Sequence, residues 1–154
     1  MSARTAASTL PPLTMQMLRP PRARAAASAN APAPSATIAY LESLGGMEVL
    51  CAYEHELGAH FLQSLPAGVT VYGLQTLEGR LPTFLLNVEG VEAADAAREL
   101  AGRGYGVWAH DTWYSLGLRE KLPYPRDAIR VGLIHYNTVE EIDGFVAELG
   151  RLAG

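Results

Sequence analysis

The chain has 154 residues, 49% of them apolar, a single cysteine and a formal net charge of −4. That is room for one globular domain with its own core, and it excludes a chain that is unstructured throughout. No stretch approaches the roughly 20 apolar residues of a membrane helix and one cysteine excludes an internal disulfide, so a soluble protein with no membrane contact and no need of an oxidising compartment is expected.

Residues 1–36 are rich in Ala, Pro and Ser, and Pro-Pro pairs at 11–12 and 20–21 block regular helix. They are expected to be a disordered leader. They hold Arg4, Arg19, Arg22 and Arg24 and no acid. Organelle transit peptides have this composition, but a leader from a GC-rich genome or a misassigned start codon would read the same. Localisation stays open between cytoplasm and, with a transit peptide, plastid or mitochondrion. The rest of the chain carries 8 basic against 16 acidic residues, a net of −8, and an acidic body argues against nucleic acid as a partner.

From Ile38 to Leu65 the apolar residues Leu41, Leu44, Met47, Leu50, Leu57, Phe61 and Leu65 recur at helical spacing, interrupted at Gly45-Gly46. A short helix and then a long one are predicted. Cys51 falls among apolar neighbours on the long helix and reads as a small buried hydrophobe rather than a reactive thiol. Val69–Tyr72 and Thr83–Val88 are β-rich runs on either side of a polar, Gly-containing link, with Pro82 where a strand can begin without losing a ladder amide. Glu92–Arg103 is an Ala-rich amphipathic helix closed by Gly104, and Tyr105–Trp108 reads as a third strand.

A connection of about twenty residues follows, long for a compact domain. It contains His110, Asp111, Trp113 and Tyr114, a helical turn around Leu116 to Leu122, and the single lysine, Lys121. His110 and Asp111 could act as an acid/base pair, but adjacent side chains usually point apart and an exposed loop tip is the plainer reading. Trp113 and Tyr114 could line a ligand pocket or simply pack the loop onto the sheet. His110 and Tyr114 are retained as secondary substrate-binding candidates.

The last segment, Ile129 to Ile142, reads as a strand running into a capped helix. Alternation puts Ile129, Val131 and Leu133 on one face and Arg130, Gly132 and Ile134 on the other. Thr138 with Glu141 three residues on is a capping box, and Val139, Ile142, Phe145, Val146, Leu149 and Leu152 then form one apolar stripe. His135 and Asn137 read as turn and capping groups. By spacing alone Arg130 reads as a sheet-edge arginine paired with a nearby acid.

Arg130 to Asp143 also follow, almost unbroken, the pattern Arg-x-(Gly/Ser)-x-x-x-Tyr-Asn-Thr-x-(Glu/Asp)-Glu-(Ile/Val)-Asp. In this the chain resembles the C-terminal end of the class V aminotransferase and cysteine desulfurase superfamily, pyridoxal-phosphate enzymes of fold type I. The resemblance reaches back to about Ile38, with Arg80-Leu81-Pro82-Thr83-Phe84 looking like the strand that enters the small-domain sheet.

The resemblance implies an α/β fold over residues 37–154, a small mixed sheet of about four strands covered by helices. It implies that Arg130 grips the α-carboxylate of an amino-acid substrate, for which a guanidinium fork is suited. The family cofactor is pyridoxal phosphate, held as a Schiff base on a lysine. That lysine and the phosphate cradle belong to a large domain, so the expected partner is such a domain or a homologous full-length chain. No catalytic residue, cofactor-binding residue or metal ligand is expected here. The desulfurase cysteine has no counterpart in the 109–128 connection. A non-catalytic binding module that keeps the fold is the alternative.

Overall fold

The computed structural model describes residues 33–109, 115–121 and 127–154. The expected leader lies outside the described residues as far as residue 32, and residues 33–36 already belong to the first helix.

Helix α1 spans Ala33–Ser43 and α2 spans Gly46–Ser64. The break falls at the glycine pair because both residues take positive φ, 104° at Gly45 and 80° at Gly46, a region closed to most side chains. Helix α2 buries Leu50, Leu57, Gly58 and Phe61. A methyl on Gly58 would come within 2.8 Å of Leu77 Cδ1 and 2.9 Å of Pro82 Cβ, so the loop after the first strand rests on bare helix backbone.

The strands are β1, Val69–Tyr72, and β2, Thr83–Val88, with the bounds predicted, and β3, Ile129–Gly132. Their order is β1-β2-β3, antiparallel at both junctions, with Tyr72 opposite Leu85 and Leu85 opposite Arg130. The small α/β domain expected is the one observed, but in two respects the sheet differs. It is antiparallel rather than mixed, and among the described residues it has three strands rather than about four.

The missing strand is Tyr105–Trp108, which meets β3 only at an isolated Trp108–Arg130 bridge. Tyr105 accounts for the divergence. Its ring packs on Phe145 at a centroid distance of 5.5 Å and its hydroxyl lies against the bare backbone of Gly144. These contacts draw the segment toward the C-terminal helix and away from β3.

Helix α3, Ala93–Gly102, and α5, Val139–Ala153, cover one face of the sheet, and the six-residue α4, Leu116–Lys121, lies in the connection. The core face carries Phe84, Leu86, Val88, Ile129 and Val131 against Phe61, Leu100, Ile142, Phe145 and Leu149, all buried. Val139, at the first turn of α5, stays 40% exposed. Cys51 is half-buried rather than fully enclosed.

The capping box is present in both directions. Glu141 N donates to Thr138 Oγ1 at 3.2 Å and Thr138 N to Glu141 Oε2 at 3.1 Å. Thr138→Ala should lower stability by about 1 kcal/mol, read as a shift of the urea midpoint at unchanged m-value.

Candidate functional site

Alternation along β3 buries Ile129 and Val131 and turns Arg130 and Gly132 outward. The face opposite the helices therefore carries Thr70, Tyr72, Thr83, Leu85, Asn87 and Arg130, of which Thr70, Thr83 and Arg130 are exposed and the rest half-buried. Trp108 joins this face through the bridge: its amide donates to Arg130 O at 3.1 Å and accepts at its carbonyl from Arg130 N at 2.7 Å. Tyr72, Leu85, Arg130 and Trp108 thus form one row across the sheet.

The strand bearing Arg130 is anchored at its far end. Leu133 N donates to Pro82 O at 3.0 Å, Ile134 N to Asn137 Oδ1 at 2.9 Å, and Asn137 Nδ2 to Glu141 Oε2 at 3.3 Å. Helix α2 clamps the turn: Glu54 Oε1 accepts from His135 N at 3.0 Å and lies 3.4 Å from His135 Nδ1. Tyr53 OH donates to Asn137 O at 2.9 Å, and His60 Nε2 meets Asp143 Oδ1 at 2.6 Å. His135 and Asn137 act as the turn and capping groups the sequence suggested.

Burial, and then the negative charges of Glu140, Glu141 and Glu56, raise the Tyr53 hydroxyl above the ordinary tyrosine value. A raised pKa favours the neutral phenol in the folded state. Its contribution is fully present below the unfolded value near pH 10 and is lost as pH rises through the folded value. Tyr53→Phe should flatten that part of the alkaline decline in stability, measured by urea melts from pH 8 to 11.

Arg80, read from sequence only as part of a strand entrance, is a hub. Its guanidinium donates to the carbonyls of Leu74, Leu81 and Thr83 and lies 4.7 Å from the centre of the Phe84 ring. It holds the loop to the sheet end. A cleft of about 430 Å³ opens where the 103–107 segment parts from β3, with Gly106 and Gly132 on its walls and Val107, Leu133 and Phe145 among its apolar lining.

Of the candidates, Arg130 is on the open face, and His110 and Tyr114 lie outside the described residues. Trp108, which the sequence placed only at the end of an expected strand, stands beside Arg130 through the backbone bridge between them.

The fold resembles that of a cysteine desulfurase. Compared with the apo structure of cysteine desulfurase from Thermococcus onnurineus NA1, the chain has a TM-score of 0.68 and 25% sequence identity, over 77% of its own length and 29% of the other chain. This supports a relation to the pyridoxal-phosphate superfamily and means that the chain spans under a third of that relative's length. No family model matches the sequence, and no curated protein does.

Lys121 does not fit the role of a Schiff-base lysine. Lys121, the sequence's one lysine, is exposed at the last position of α4, whereas a Schiff-base lysine is activated by burial or a neighbouring cation. No group of His, Cys, Asp and Glu able to hold a metal ion occurs among the described residues, and no described helix is long and apolar enough to cross a membrane.

Proposed function

We propose that residues 37–154 are the small domain of a class V aminotransferase or cysteine desulfurase-like enzyme, and that Arg130 binds the α-carboxylate of its amino-acid substrate. The cofactor lysine and the phosphate cradle are supplied by a large pyridoxal-phosphate domain, on the same or another polypeptide. The observation that carries this reading is the position of Arg130: the motif arginine stands exposed on the sheet face opposite α3 and α5, in a fold similar to that of a desulfurase. A guanidinium fork presents two parallel donors that match a planar carboxylate. The exposed position of Lys121 favours one further reading, a binding module that retains the fold without the chemistry.

The division of labour is tested by mixing the chain with pyridoxal phosphate, reducing with borohydride and locating adducts by mass. Sparse or no labelling and no amino-acid turnover are expected. A stoichiometric adduct on Lys121 with turnover would overturn the proposal. The role of Arg130 is tested by titrating the 15N-labelled chain with acetate and following the backbone amides of Leu85 and Trp108, which stand on either side of it. A saturable shift that Arg130→Gln abolishes is expected, and a shift indifferent to that substitution would rule the role out.

A further inference from the structure

We propose that residues 105–107 form a strap with two positions, one parted from β3 as observed and one zipped onto it as a fourth strand, and that the Tyr105 ring props the strap open. This is independent of the carboxylate role of Arg130. In an antiparallel pair, residues that exchange both backbone hydrogen bonds recur at every second position. Trp108 and Arg130 make that exchange, at 3.1 and 2.7 Å, so the next such pair is Gly106 with Gly132. Arg130 turns its N–H and C=O away from β2, and Gly132, two residues on, does the same. No backbone bond joins Gly106 to Gly132. The ladder stops one pair short, and the cleft of about 430 Å³ begins there.

The strap is free to take the second position. The Tyr105 amide donates to Leu100 O at 2.9 Å, and in the ladder it would still point away from β3, so this bond survives closure. Gly104, at φ 92°, supplies a hinge that no Cβ obstructs. A Cβ at Gly106 would meet nothing within 4 Å, so open space surrounds the residue that has to move. What opposes closure is the Tyr105 ring, whose centre lies 5.5 Å from that of Phe145 and whose hydroxyl rests on the bare backbone of Gly144. What favours it is two backbone hydrogen bonds and the covering of the cleft's apolar lining, Val107, Leu133 and Phe145. An aromatic pair and a backbone hydrogen bond have similar net worth. A balance that close leaves both positions populated. Closure would fasten β3, the strand that bears Arg130, along its second edge.

The test is native-state amide hydrogen exchange on the 15N-labelled full chain, with the amide of Val131, which pairs with Phe84 on β2, as internal reference. A methyl on Gly144 would overlap the Tyr105 hydroxyl, so Gly144→Ala dislodges the prop without emptying the core. In that variant the Gly106 and Gly132 amides should exchange about tenfold more slowly relative to Val131. An NOE should also appear between the α protons of Val107 and Val131, which come face to face only in the zipped ladder. Tyr105→Ala removes the prop from the other side and should produce the same NOE. The proposal is overturned if Gly144→Ala leaves the relative exchange of the two glycine amides unchanged or shows no such NOE. It is equally overturned if Tyr105→Ala keeps a native amide spectrum and lacks the NOE; should that variant unfold, Gly144→Ala alone decides.

Discussion

Phe61→Ala should destabilise the domain by about 3–5 kcal/mol, a large share of the 5–15 kcal/mol typical of a domain. Phe61 is 0% exposed. Its ring centre lies 4.8 Å from that of Phe84 on β2 and 6.1 Å from that of Phe145 on α5, so one side chain joins α2, the central strand and the last helix. Truncation removes its burial and its aromatic contacts and leaves a void that two neighbouring rings on separate elements can fill only by moving the elements. Met47, on the same helix but 59% exposed, is the internal control, and Met47→Ala should stay within about 0.5 kcal/mol. The measurement is the urea midpoint. A loss below about 1.5 kcal/mol at Phe61 would mean that α2 does not share the core with the sheet.

The second large effect is a contrast within one strand and its continuation. Leu133→Ala should cost about 2–5 kcal/mol, because Leu133 is only 7% exposed and belongs to the main core cluster. Arg130→Ala, at an exposed position three residues earlier, should cost under about 1 kcal/mol. Equal and large losses would identify Arg130 as a structural ion-pair partner and remove it from the carboxylate role.

Local signals carried much of this fold. The strand bounds at Val69–Tyr72 and Thr83–Val88 follow from β-branched runs punctuated by Gly and Pro, and the start of α5 follows from Thr138 and Glu141, whose reciprocal bonds span three residues. What could not be read were contacts set by tertiary approach. Nothing near His60 announces Asp143, 83 residues away, and nothing near Glu54 announces His135. The pattern Tyr-x-Val-Trp is a fair strand signal, but Tyr105 finds a better partner in Phe145 than a ladder position would give it, so pairing stops at Trp108. The site was legible to the same extent: motif and alternation together put Arg130 outward, while its neighbour Trp108 became visible only through a register that joins two distant segments.

The seat of the β1–β2 loop on α2 also bears on how this sequence can change over time. Glycine within a helix is a poor choice on propensity, by about 1 kcal/mol against alanine, and at position 58 that handicap persists because Leu77 and Pro82 occupy the space a methyl would need. Positions 58, 77 and 82 are thereby tied into one heritable unit. Descendants of this chain should keep the small residue or alter the loop in the same step. In an alignment of relatives the three columns would covary, although the residues that share this history are 19 and 24 positions apart.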